Sequence, residues 1–174
     1  MRSKELQGIA LVEATHVGPR QRPTAIYLRS SFTTGDKGAA NGIAQAWHNP
    51  NNRVSSCHYV VDEAQTLRCM PDNKTSYPID KTPFRNAISI NVCHDPPDRP
   101  SDKVLDDAAI LVARLCALHK VKMRILEADS LDKWLKRRWR SNGGIIIQSF
   151  WGVPGEEFLD LVRFEYEVLD RKGL

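Results

Sequence analysis

The sequence predicts an α/β domain with a mixed central β-sheet flanked by helices. Three observations predict it. Val54 to Val61 alternates with a period of two and is rich in β-branched and aromatic side chains, which reads as a strand. The polar Asp62-Glu63-Ala64-Gln65 suits a hairpin loop, and Thr66 to Met70 reads as the return strand. Ala87 to Cys93 is a further strand, expected to be central, and is followed after a proline-rich turn by a long helical pattern. Strands alternating with helices in this way build a sheet with helices on its faces.

In chain order, residues 1–22 read as an N-terminal lead-in segment, and residues 23–174 as the domain. Within the lead-in, Leu6 to Val12 is open between a short helix and a strand, and Gly18 to Pro23 is polar. Thr24 to Arg29 reads as a strand, and Ser30 to Lys37 as a loop. Gly38 to Trp47 fits a helix, with Ile43, Ala46 and Trp47 on one stripe and Asn49-Pro50-Asn51-Asn52 stopping it. After the hairpin, Pro71, Pro78 and Pro83 mark a loop, and Pro96, Pro97 and Pro100 mark the turn beyond Cys93. Ser101 is placed to cap the long helix, with Asp102 in its first turn and a broad apolar face from Val104 to Leu118. Ile125-Leu126 is a short apolar pair, and Asp129 or Ser130 starts a helix to about Arg138. Gly143-Gly144 precedes a strand over Ile145 to Gln148. Pro154-Gly155 opens a last helix with Phe158, Leu159, Val162 and Tyr166 on its apolar stripe.

Composition narrows the function classes. The 174 residues suffice for one domain with a real core, and 41% apolar against 26% charged is the balance of a soluble globular chain. A net charge of +4, from 25 basic and 21 acidic residues, is too small to demand a nucleic-acid or membrane partner. The one basic run, Lys133 to Arg140, reads as the wet face of an amphipathic helix rather than a polymer-binding patch. No apolar run reaches membrane-span length and no signal peptide is visible at the N-terminus, so neither a membrane nor an export route is expected. Cys57, Cys69, Cys93 and Cys116 form no CxxC pair and lie in apolar patterns, so buried free thiols are expected.

Taken in order, the segments HNPNNRVSSCHYVVD, LRCMPDNKTSY, RNAISINV, GGIII and PGEEF resemble the zinc-dependent N-acetylmuramoyl-L-alanine amidases. This is the amidase-2 or peptidoglycan-recognition-protein fold of phage endolysins, and the resemblance runs from about Pro23 to Val162. It implies a zinc ion held by two His and one Asp or Cys, with one coordination position left for water. It also implies a Glu or Tyr that assists proton transfer while the zinc polarises the scissile amide.

Carried over one position at a time, the resemblance puts the first His ligand on Arg29 and the general-base Glu on Asn91. The second His falls on Gln148, and the last ligand on Val153. The Trp-His pair of the family's cleft falls on Tyr77-Pro78, where the Tyr77 ring remains able to stack on a sugar or peptide. His58 matches a family histidine that is usually structural. Arg29 is a permanent cation, Val153 has no donor atom, and Asn91 and Gln148 are amides, poor zinc ligands and not bases.

The reading is therefore a catalytically inactive amidase-like domain without a metal or cofactor, reused as a structural or binding component. The phage-type resemblance points to a virion protein, tail or capsid-associated, made in the host cytoplasm and packed against other virion proteins. Two alternatives stand beside it. One is a peptidoglycan-binding module that grips without cutting, through Tyr77 and His58. The other is a zinc-dependent N-acetylmuramoyl-L-alanine amidase with an atypical site.

Overall fold

The computed structural model describes residues 6, 9–32, 38–51, 55–76, 86–94, 99–126, 143–147 and 152–173. The chain runs β1 (Ala10–Leu11), β2 (Val17–Arg20), β3 (Ala25–Phe32), α1 (Ala39–His48), β4 (Tyr59–Val61), β5 (Thr66–Arg68) and β6 (Lys74–Ser76). It continues with β7 (Ala87–His94), α2 (Asp102–His119), β8 (Ile125–Leu126), β9 (Ile145–Ile147) and α3 (Gly155–Arg171).

Among the described residues, seven strands form a mixed sheet in the order β1-β5-β4-β7-β3-β9-β8. β4, β7, β3, β9 and β8 run parallel, β5 turns back antiparallel to β4, and β1 pairs parallel with β5. A separate two-stranded sheet joins β2 to β6. β3 and β7 pair along their full length, Ala25 opposite Ala87 through Phe32 opposite His94.

Alternation along these strands assigns the two faces. Ile26, Leu28, Tyr59, Val61, Ile88, Ile90, Val92 and Ile145 point to one side, where α2 and α3 cover them with Leu105, Leu111, Leu115, Phe158, Leu159 and Val162. Each large side chain sealed there contributes about 1.5–3 kcal/mol relative to exposure. The opposite face carries a second cluster under α1, with Ala40, Ala44 and Trp47 against Val60, Leu67, Met70 and three of the cysteines. A third, small group forms around Ala25, Ala87 and Ile146.

The hairpin is present, with Val61 opposite Thr66 around the loop that starts at Asp62. Its first strand is ladder-paired only from Tyr59, later than the alternation predicts, although the His58 N–H already donates to the Ser89 carbonyl. The long helix starts where Ser101 predicts, with the Ser101 Oγ accepting the Val104 N–H at 3.5 Å. It stops at Lys120, which adopts φ 56 and returns its N–H to the Cys116 carbonyl. All four cysteines are free and buried. None of the helices, among the described residues, is long and apolar enough to cross a membrane.

The lead-in segment contributes two strands. Ala10 pairs with Leu67 at the sheet edge, and Val17 pairs with Ser76. The stretch from Pro71, expected as loop, holds β6 as the partner of β2. Both strands are short and polar, and β2 contains Pro19, so neither shows an alternation to read. Val54, the helix expected over 129–138 and the basic run 133–140 lie outside the described residues.

Candidate functional site

In open α/β sheets, ligands bind beyond the carboxyl ends of the parallel strands. Two of the positions singled out in the sequence meet on one face of this sheet, in the carboxyl-terminal halves of β3 and β7. Arg29 on β3 and Asn91 on β7 are register partners in adjacent parallel strands. Their neighbours Leu28 and Ile90 point into the helix-covered core, so Arg29 and Asn91 share the opposite face with Tyr27 and Ser89. α1 packs on that face over β4 and β5, and its Trp47 reaches the edge of the pair.

The Arg29 guanidinium is held in two ways. Its Nη2 donates to the Ser56 carbonyl at 3.3 Å, and its central carbon lies 5.9 Å from the centroid of the Trp47 ring. Among the described residues its buried Nε has no acceptor. Among the described residues no carboxylate pairs with it. Asn91 is 4% exposed. Burial raises the Tyr27 pKa, while the Arg29 charge beside it acts the other way.

His58 sits deeper on the same face and is sealed from solvent. The Ser89 backbone N–H can only donate, and it does so to the His58 Nδ1 at 3.0 Å. The ring proton is therefore on Nε2, which donates to the Lys74 carbonyl at 2.7 Å. Ser89 Oγ adds a contact to Nδ1 at 2.9 Å and bonds Ser76 Oγ at 3.1 Å. Burial lowers the His58 pKa to about 4, against a smaller upward pull from the Lys74 carbonyl. His58 is thus a neutral, fully engaged tie between β4, β6 and β7.

Val153 stands just ahead of α3 and packs against the helix-side core rather than beside Arg29. Gln148 and Tyr77 lie outside the described residues.

These residues do not fit the zinc ion that the resemblance implies. A guanidinium repels a dication and has no lone pair to give, an isopropyl group has no donor, and a carboxamide is a poor zinc ligand. Among the described residues no group of three His, Cys, Asp or Glu side chains is placed to hold a metal. What the arrangement can do is offer one fixed positive charge and one neutral amide to a ligand.

Three polar residues organise the surroundings without standing out in the sequence. Asp62 and Asp72 are both buried carboxylates, and Ser56 supplies the carbonyl that orients Arg29. Asp62 alone carries a signal, since an Asp opening a tight loop bonds the backbone two and three residues on.

No family model and no curated protein sequence matches the chain. Solved structures do. A mutant endolysin from Bacillus subtilis superposes with a TM-score of 0.65 at 18% identity, over 88% of this chain and 97% of its own. The chain has the amidase-2 fold. The same amidase-2 fold is shared with the Staphylococcus aureus hydrolase AmiA, solved with its ligand, at a TM-score of 0.65 and 14% identity, over 95% of this chain and 85% of that one. It is shared too with the catalytic domain of XlyA, at a TM-score of 0.57 and 16% identity, over 88% of this chain and 98% of that one. The match to the amidase-2 fold spans most of the chain, so the mixed sheet flanked by helices is common ground.

Proposed function

We propose that this is a non-hydrolytic amidase-2 domain that works as a binding or structural component, and that its setting is a phage particle in which it packs against other virion proteins. The observation that carries the non-hydrolytic part is the Arg29 guanidinium, fixed by the Ser56 carbonyl and the Trp47 ring in register with Asn91. A cation so placed neither ligates a metal nor takes a proton from water. The particle setting is supported by the likeness to an endolysin and by the phage-type resemblance of the sequence. Peptidoglycan is the polymer to which the old cleft would be suited.

A second reading, a zinc-dependent amidase with an atypical site, is favoured by the names of the matching structures, which include an endolysin, a hydrolase and a catalytic domain. One set of assays separates the two. The proposal expects purified full-length protein with zinc well below one equivalent, no muramyl peptide released from cell walls, and either co-sedimentation with insoluble peptidoglycan or stoichiometric presence in assembled particles. Stoichiometric zinc together with muramyl peptide release would overturn it.

A further inference from the structure

We propose that the protein assembles head to tail, with the outer face of α3 in one copy docked on the β2–β6 ribbon of the next. Nothing in this depends on zinc or on what Arg29 binds.

α3 carries six acidic and two basic residues, a net charge of −4 on a chain whose net charge is +4. Both basic residues are already engaged, Arg163 with Asp160 at 2.9 Å and Arg171 with Glu167 at 3.3 Å. Phe164 stands out from this helix 63% exposed, the most exposed large hydrophobic side chain among the described residues. Its neighbours three and four positions away are the half-buried Leu161 and Val168 and the exposed Asp160 and Glu167. A lone exposed apolar residue is ordinary. An aromatic with apolar neighbours and a charged rim has the make-up of an interface anchor.

The ribbon is the opposite in sign. Arg20 and Lys74 are register partners across its two strands, where like charges repel. Arg22 adds a third cation two residues on, and Val17, at the other end of β2, is 38% exposed. Among the described residues none of the three cations has an ion pair. Their backbone is pinned. The Gln21 N–H donates to the Asn73 carbonyl at 2.8 Å, and Gln21 Nε2 and His58 Nε2 donate to the Lys74 carbonyl at 2.6 and 2.7 Å. A platform already ordered loses little freedom when something docks on it.

The two surfaces lie on opposite faces of the sheet. The Ser76–Ser89 hydroxyl bond, at 3.1 Å, ties β6 to the face that carries Arg29, whereas α3 covers the other. One copy therefore cannot lay its own acidic helix on its own ribbon. A second copy brings charge of the missing sign to either surface and leaves its own other surface open. Such a heterologous contact repeats into a ring or a filament rather than closing as a two-fold dimer.

Sedimentation velocity of the full chain at rising concentration tests this. The mean mass should rise with concentration at low salt and fall back toward the monomer as salt is added, because exposed charges are screened. Phe164→Asp, and Arg20→Glu together with Arg22→Glu, should each weaken association by at least about tenfold and leave that variant alone monomeric. Mixed in equal amounts, the two variants should form a dimer and nothing longer, since each keeps the surface that the other lacks. A two-fold interface would show no such rescue. The substituted side chains are exposed, and circular dichroism checks that the variants fold. Should either misfold, carbodiimide cross-linking of isotope-labelled with unlabelled parent decides: links between copies should join α3 carboxylates to Lys74. A parent that stays monomeric at low salt overturns the proposal. So do folded variants that associate like the parent, a mixture that stays monomeric, or links between copies that avoid α3 or Lys74. None of these outcomes bears on the non-hydrolytic reading, which zinc content and cleavage decide.

Discussion

Asp72 accepts a 2.7 Å hydrogen bond from Nε2 of His119, the last residue of α2. Its other carboxylate oxygen accepts the Tyr59 hydroxyl at 2.6 Å, and the Arg68 guanidinium lies 3.8 Å away. One carboxylate thus ties the hairpin, the turn before β6 and the end of the long helix. Burial pushes its pKa up, but the bonds from His119 and Tyr59 and the Arg68 charge outweigh burial, and the pKa falls below its ordinary 3.8. Asp72→Asn is expected to lower unfolding free energy by about 1–3 kcal/mol, since it weakens bonds to a buried charge. The sign with pH follows from the lowered pKa. The contribution is present above the unfolded value of 3.8 and is lost as pH falls below it through the folded value. Urea midpoints measured from about pH 5 down to about 2 should fall more steeply for the parent than for Asp72→Asn; parallel curves would remove Asp72 from the acid limb.

His58 acts in the neighbouring pH range. Its folded pKa of about 4 lies below the ordinary histidine value of 6.5, so the unfolded chain takes up the proton first. The neutral ring therefore contributes full stability above pH 6.5, and that contribution drains away as pH falls toward 4. The total is about 3 kcal/mol, since each tenfold change in proton affinity is worth roughly 1.4 kcal/mol. Denaturation followed from neutral pH down to about 4 should show this loss, and His58→Gln, weaker at neutral pH, should show a flatter profile. In NMR the His58 ring should not titrate until the pH approaches 4.

The pH-sensitive residues also show what the sequence makes legible. The hairpin, the two core strands and the helices α1, α2 and α3 announce themselves because a buried face imposes a period on the side chains, about 2 in β7 and about 3.6 in α2. β2 and β6 pair with each other outside the main sheet, so neither acquires an apolar alternation, and Pro19 hides the first of them further. At the candidate site, Arg29 and Asn91 are identifiable by position and meet in adjacent strands. The Ser56 carbonyl and the Trp47 ring that fix Arg29 are not identifiable, because a backbone oxygen and a core aromatic carry no motif. The Asp72–His119 bond joins residues 47 positions apart, a pairing that no local pattern can announce.

Asp62 is expected to be the most costly polar residue to remove. Its Oδ1 accepts the backbone N–H groups of Ala64 and Gln65 at 2.8 Å each, closing the hairpin loop. Its Oδ2 accepts those of Gly38 and Ala40 at 3.0 and 2.8 Å, satisfying the first turn of α1, which has no cap of its own. Asp62→Ala would orphan all four donors and should cost about 3 kcal/mol or more, given the value of a helix cap and of buried unpaired N–H groups. Asp62→Asn keeps one acceptor oxygen and should cost less than half as much. Hydrogen exchange sharpens the test: the amides of Gly38 and Ala40 should lose protection together with those of Ala64 and Gln65. Loss at only one of the two places would mean that the loop and the helix are not joined through this side chain.

Two glycines with opposite surroundings give the last prediction. Gly143 lies beside the start of β3, and a Cβ added there would collide with the carbonyl oxygen and carbonyl carbon of Thr24. Both are backbone atoms of a segment held by the Thr24 N–H bond to the Asn86 carbonyl and by the Ile26 N–H bond to the Gly144 carbonyl, so no side chain can swing aside. Gly143→Ala must pry β9 from β3, and should cost about 3 kcal/mol or more, beyond ordinary overpacking. Gly42, in the exposed interior of α1, has nothing within 4 Å of its added Cβ. Gly42→Ala should stabilise the protein by about 0.5–1 kcal/mol through reduced freedom of the unfolded chain. Thermal and urea unfolding of the two variants should therefore move in opposite directions from the parent. A Gly143→Ala protein as stable as the parent would mean that β9 does not approach β3 as closely as this.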